Sequence, residues 1–398
     1  MPISMRARTR LIVLLATVPL VAFTLVGGWL GGVVAREDAY RHLRIFEDVV
    51  SLISENYVED ADLDQVMDGA LSGLAGGLDT DSTFLSAASV ARLESGATAG
   101  PAGIGVETVA RYYTQIVGVR DGSPADRAGL RPGDYIRAIN DEPTRRLSGV
   151  DGVARLRGEP GTTVRLSLLR GNTSEPYDID LVRELPSGPD VSHRMLSADI
   201  GYLRVAALNE GAAEAIERAA GALAGDGATQ LVIDVRNCAA GSFDEGIAAA
   251  RLFVADGALL QREETGGQQI TIEATAGGNA IDTPILLLTN YGTAGGAELS
   301  AAGLTGAGRA ESVGQRTAGR VSLQKLIPLP DGSGLWLSWA RYLQASGDDL
   351  HRTGVEPAVE VELPSVELGE PWPPGDPILD RALEHLQAEV AAAAAVAA

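Results

Sequence analysis

Lysine, cysteine and histidine are nearly absent from this chain: one lysine (Lys325), one cysteine (Cys238) and four histidines (His42, His193, His351 and His385) stand among 398 residues. A single cysteine excludes an intramolecular disulfide and offers no zinc-ligand spacing. The histidines are scattered, so neither a metal site nor any other cofactor is expected. Basic side chains are scarce as well, 32 against 53 acidic ones, for a net charge of −21. The one basic cluster is Arg6, Arg8 and Arg10, which is too little for a phosphate-binding footprint, and nucleic-acid binding is excluded. There is no Gly-Lys-Ser or Gly-Lys-Thr phosphate loop. The glycines of Gly303-Leu304-Thr305-Gly306-Ala307-Gly308 follow a helical segment, not a strand, which argues against dinucleotide binding.

Apolar pattern is plentiful, at 45% hydrophobic content, and it divides the chain. Residues 1–10 form a short basic leader, and residues 11–34 carry no charge and are long enough to span a bilayer. The arginines before them favour an inside N-terminus. The rival reading is a cleavable signal sequence ending near Val33-Val34-Ala35, with a longer apolar run than such signals need. Residues 35–99 show helical spacing (Leu43, Phe46, Val49, Val50 and Ile53, then Val66, Ala70 and Leu74) broken at 56–60. Residues 100–186 read as short strands, Gly/Pro turns and one helix. From 187 to 365 strands alternate with helices, which argues an α/β core. Residues 366–398 hold a terminal helix starting near Asp376 and an Ala-rich tail. The expected class is multidomain α/β.

The chemistry-bearing stretch is 283–324. After the apolar run 284–288 comes a tight turn, Asn290-Tyr291-Gly292, and then the start of an Ala-rich helix at Thr293-Ala294-Gly295-Gly296-Ala297-Glu298-Leu299-Ser300. Such a corner exposes one side chain to substrate while the first helical N–H groups point at a developing oxyanion. Here the corner offers only glycine. A second segment, Thr317-Ala318-Gly319-Arg320-Val321-Ser322-Leu323-Gln324, and a third, Leu231-Val232-Ile233-Asp234-Val235-Arg236-Asn237-Cys238-Ala239-Ala240-Gly241-Ser242-Phe243-Asp244-Glu245, complete the pattern.

Together these segments resemble the carboxyl-terminal processing (tail-specific) proteases, bacterial serine peptidases that use a Ser-Lys pair on a ClpP/crotonase-like core. The family's corner N-x-G-S-A-S-A-S-E places Gly295 at the nucleophile position. Its T-F-G-K-G-x-V-Q places Arg320 at the lysine position and matches Gln324, and its Q-D-Y-G-R-A places Gly306 at an aspartate position. The resemblance puts the oxyanion hole at Gly241 and Gly296, with Ala239 and Ala240 replacing the family's Pro and first Gly. Because glycine reaches positive φ cheaply, the loss at Ala240 is expected to restrict that turn. The segment Asp79-Thr80-Asp81-Ser82-Thr83-Phe84-Leu85 resembles the family's D-P-x-S-x-Y-L and implies no chemistry. Gly122-Ser123-Pro124-Ala125-Asp126-Arg127-Ala128-Gly129-Leu130-Arg131-Pro132-Gly133-Asp134 resembles a PDZ domain, whose carboxylate-binding loop would be Gly103, Ile104, Gly105 and Val106.

Glycine cannot form an acyl-enzyme, and a guanidinium does not shed its proton as a desolvated ammonium does. The expectation is therefore a pseudoprotease that binds peptide C-termini or partner proteins, an active homologous protease among them. It would sit in the bacterial inner membrane with a single pass and the bulk of the chain periplasmic. Two rivals stand beside it: an active serine-type endopeptidase with an unorthodox nucleophile, and a structural scaffold with a blocked PDZ groove. Cys238, Thr293 and Ser300 are the nucleophiles the first rival would need. On a two-residue period Lys325 faces away from Arg320, Ser322 and Gln324.

Overall fold

The computed structural model describes residues 43–96, 99–171, 173, 175–275 and 280–397. The charge-free run 11–34, expected to be the anchor, lies outside them. Among the described residues no helix is long and apolar enough to cross a membrane. The helical spacing of the N-terminal region is realised in a helix over 43–56 and a second, Leu63–Gly76, with the break where the pattern failed. The first belongs to a compact unit that ends at Ala70, and the rest of the chain forms another.

Asp79 closes a turn by accepting from the N–H groups of Asp81 (2.9 Å) and Ser82 (2.6 Å). The turn launches the strand Thr83–Leu85, which pairs antiparallel with Gly334–Gln344, Phe84 opposite Leu335. The last part of the segment read as helical thus supplies an edge strand. Its sheet runs Thr83–Leu85, Gly334–Gln344, Ala258–Glu264, Gln268–Glu273, with Ser322–Pro328 also paired to Gly334–Gln344.

Residues 106–182 build a sheet in the order Val106–Ala110, Thr114–Val119, Tyr135–Ile139, Thr163–Leu169, Tyr177–Val182, packed around Ile104, Ile116, Ile136, Leu166 and Leu168. Ser123 caps the short helix Pro124–Arg127 by accepting from Asp126 N, and Gly129 takes the left-handed conformation (φ 74°) that ends the turn. The strand Val106–Ala110 lies at the edge of this sheet beside the helix Gly149–Leu156, so its free edge is open to strand addition.

The largest core surrounds a six-stranded sheet ordered Val359–Glu360, Ala310–Gly314, Ile285–Thr289, Gln230–Asp234, Ile200–Val205, Val191–Met195, parallel except for the last strand. Its central strands are covered on both faces, as continuous apolar runs require. The helices Ala212–Gly225, Phe243–Arg251 and Gly296–Gly306 pack on one side. The helix Pro377–Ala397 covers the other, setting Ile378, Ala382 and Leu386 against Val232, Leu286, Leu288 and Val313. Between the strand Val359–Glu360 and that helix the chain crosses the 106–182 domain. There Leu368 joins that domain's core, Arg170 donates to Val366 O (3.2 Å), and the Arg131 guanidinium lies 3.3 Å from the Trp372 ring centroid.

Candidate functional site

Parallel strands end at the same edge of a sheet, so the loops leaving Gln230–Asp234 and Ile285–Thr289 meet there. Asn290 stitches them together. Its Oδ1 accepts from Asn237 N (2.9 Å) and Gly292 N (2.9 Å), and its Nδ2 donates to Asn237 Oδ1 (2.8 Å). Gly295 then turns the chain into the helix with φ 61° and ψ −127°, a conformation in which any other residue is strained. A Cβ built on it would meet only Ala239 O at 3.8 Å and Phe243 Cε1 at 3.9 Å. The corner keeps the shape that displays a side chain and has room for one.

The sequence-aligned positions do come together. Gly295 N donates to Arg320 O (3.1 Å), so the corner and the turn before Ser322–Pro328 are in direct contact. Gly296 lies against the 239–242 turn, where a Cβ would fall 2.2 Å from Ser242 O. Gly241 (φ 115°) is pressed on Leu208, where a Cβ would fall 2.1 Å from its carbonyl oxygen. Among the described residues neither the Gly241 nor the Gly296 N–H has a hydrogen-bond acceptor. The expected strain at Ala240 is not found. The left-handed residues of this turn are Asn237 (φ 56°) and Gly241, and asparagine tolerates that conformation. Gly306 closes the corner helix with open space around it.

Arg320 is occupied elsewhere. Its Nη2 and Nε donate to Asp81 Oδ1 (2.7 and 3.2 Å), and Ser322 Oγ donates to Asp81 Oδ2 (3.1 Å). The Asp81 side chain is only 5% exposed, so this carboxylate depends on the pair. Sequence reading missed Asp81. The available signal was two aspartates in one turn, of which a single one is needed to cap it. Gln324 Nε2 donates to Ser322 Oγ (2.8 Å) and Ser322 O (3.0 Å), which completes a polar row.

Beneath the corner Glu298 is fully buried. It accepts from the Thr317 hydroxyl, Gly319 N (2.6 Å) and Arg320 N (2.7 Å). Burial pushes its carboxyl up to about 7 against the pull of these donors.

The substitute nucleophiles are all engaged or enclosed. Thr293 Oγ1 donates to Val235 O (2.9 Å), and Ser300 is buried in the corner helix. Cys238 is wholly buried, and burial pushes its thiol up to about 12, the reverse of an activated thiolate. A bulge between Leu323 and Gln324 breaks the strict two-residue period. Even so, Lys325 lies as expected on the far side, its Nζ 5.6 Å from the Trp339 ring centroid.

The 106–182 domain sits on the corner. Val109 and Val117 pack against Ala294, Ala239 and Ala318, and a Cβ on Gly118 would come within 2.7 Å of Ala239 Cβ. Two ion pairs fix the contact: Arg204 with Asp121 (2.7 Å) and Arg120 with Asp190 (2.8 Å). Gly103 N is used by Glu184 O (3.0 Å), and the Ile104 side chain is buried. Of the loop's first three amides, those of Ile104 and Gly105 remain without an acceptor among the described residues.

Comparison with known proteins agrees with this geometry. Peptidase family S41 matches residues 199–361 and a PDZ domain matches 115–170. The carboxyl-terminal-processing protease of Synechocystis is 33% identical over 276 residues, covering 68% of this chain and 64% of that protein. The carboxy-terminal processing protease CtpA of Bacillus subtilis is 29% identical over 315 residues, covering 78% of this chain and 67% of the relative. This chain thus spans about two thirds of the length of these relatives. Among solved structures, a photosystem II D1 C-terminal processing protease superposes with a TM-score of 0.68 at 27% identity, over 78% of this chain and 85% of that one. The S41 and PDZ matches, together with these relatives, place the chain in the carboxyl-terminal processing protease family, homologous to its serine proteases.

Proposed function

We propose that this protein is a pseudoprotease of its family, one that holds peptide or protein C-termini without cutting them. The observation that carries the reading is the pairing of Arg320 with Asp81 beside a corner that presents Gly295. The position where the family keeps a base is taken by a permanently charged guanidinium tied to a buried carboxylate, and the nucleophile position has no reactive atom. What the site retains suits binding: an open edge strand, two uncommitted loop amides and a shaped surface between the domains. Anchoring by residues 11–34 in a bacterial inner membrane, with the remainder periplasmic, is part of the same proposal and rests on their lack of charge.

The test is incubation of the purified protein with unfolded polypeptide and with a fluorophosphonate probe. No cleavage and no acylation are expected. Turnover that survives Cys238→Ala, with contaminating protease excluded, sinks the reading. Peptides with a free carboxylate are expected to bind at micromolar strength, about −8 kcal/mol.

A further inference from the structure

The hairpin that joins Val106–Ala110 to Thr114–Val119 turns through Arg111, Tyr112 and Tyr113. Thr144 fixes what lies beside that tip. Its buried hydroxyl accepts from Thr114 N (3.1 Å) and donates to Ile136 O, and Thr114 is itself the register partner of Ile136. Arg137 and the 3₁₀ turn Thr144–Arg146 are thereby brought to the same end of the PDZ sheet. Tyr112 is 65% exposed. Its ring meets that of Tyr113 edge-on with centroids 4.9 Å apart, and the Arg145 guanidinium lies 4.8 Å from its centroid. Arg111, Arg137, Arg145 and Arg146 are all exposed, and among the described residues none of them forms an ion pair or a side-chain hydrogen bond. Other exposed arginines of the domain are paired, Arg127 with Glu184 (2.5 Å) and Arg165 with Asp178 (3.5 Å). Of the acidic residues next to the turn, Glu142 is held by Arg155 and Asp151 by Arg92, which leaves Asp141 against four guanidinium groups. Such a cluster stands out in a chain of net charge −21. A hairpin tip and a turn carry their side chains outward and enclose no groove, so they suit a flat anionic surface better than a peptide. Guanidinium groups attract anionic headgroups, and the amphipathic ring of tyrosine settles at headgroup level.

We propose that this end of the PDZ domain rests on an anionic lipid surface, with Arg111, Arg137, Arg145 and Arg146 against the headgroups and Tyr112 in the interfacial layer. An anionic bilayer repels the rest of so acidic a chain, so the patch also sets which way the domain faces. The contact is additional to the anchor proposed for residues 11–34 and does not depend on it.

The experiment is hydrogen exchange on the full chain mixed with vesicles of phosphatidylcholine alone or of phosphatidylcholine with phosphatidylglycerol. The amides of 111–113 and 145–147 are expected to exchange more slowly on the anionic vesicles only, and to lose that protection in high salt. Each arginine near the surface contributes about fivefold, so Arg145→Glu with Arg146→Glu is expected to cut the protection about 25-fold. Exchange in Thr163–Leu169 serves as the control that the variant is folded. Tyr112→Ser is expected to weaken the protection and leave its salt dependence in place. Equal exchange on the two kinds of vesicle, or protection that survives in the double variant, overturns the proposal. Protection that grows with protein concentration on zwitterionic vesicles assigns the patch to a second copy, and equal protection by soluble polyglutamate assigns it to an acidic polypeptide. Either result overturns the lipid contact. Flotation with zwitterionic vesicles reads the anchor alone, and its failure leaves the comparison on anionic vesicles to decide the patch.

Discussion

At the scale of single residues, the pair formed by Arg320 and Asp81 decides more than either residue alone. A carboxylate that is 5% exposed needs a cation, and Arg320, 28% exposed, supplies it. Removing one partner of such a pair leaves a buried charge uncompensated, at a cost of about 3 kcal/mol. Arg320→Ala is therefore expected to lower stability by about that amount in urea unfolding, and adding Asp81→Asn to recover part of it. The same pair bears on reactivation. Gly295→Ser has room for its Cβ, but with Arg320→Lys alone the new ammonium would be held charged by Asp81. Slow peptide hydrolysis is expected only when Asp81→Asn accompanies the other two changes, because nucleophile and base act as a unit. A triple variant with no activity would mean that the corner is reshaped for binding alone.

At the scale of elements, the corner helix is tied to the 317–320 turn through Glu298, and that tie senses pH. Its carboxyl rises from an ordinary 4.5 to about 7 on folding because burial outweighs the three donors. A group that holds its proton more tightly when folded contributes stability that is fully present below 4.5 and lost as pH rises through 7. The loss amounts to about 3 kcal/mol at most. Thermal unfolding of wild type against Glu298→Gln from pH 4.5 to 8 is expected to show the wild-type midpoint falling more steeply over that window. Parallel curves would mean that the carboxylate is ionised throughout. The strand elements were legible because the runs 231–233 and 284–288 are continuously apolar, as strands buried on both faces require. The bulge in Ser322–Pro328 was not, since it depends on pairing with Gly334–Gln344.

For the whole molecule, the decisive contact is the seating of the PDZ domain on the corner. Gly118 permits it, because any side chain there would collide with Ala239. Gly118→Val is expected to unseat the domain without unfolding it, which hydrogen exchange would register as faster exchange in 106–119 and 237–240. Unchanged protection in both segments would show that the contact yields locally instead. The segment crossing from the core over Arg170 and Arg131 to Trp372 limits how far the domain can then travel.

The sequence alone determined that a PDZ segment precedes an α/β S41 core, the PDZ turn, and that glycine and arginine stand at 295 and 320, the positions that the family resemblance assigns to nucleophile and base. Each of these follows from local pattern: periodicity, glycine and proline at turns, and motif spacing within one segment. Only the tertiary structure decided that Asp81 binds Arg320, that Asn237 and not Ala240 carries the left-handed bend, and that the loop 103–106 shares its cavity with the core. Those depend on contacts between residues far apart in the chain, such as 81 with 320 or 237 with 290, and no local propensity encodes which distant partner a buried charge or an open amide will meet.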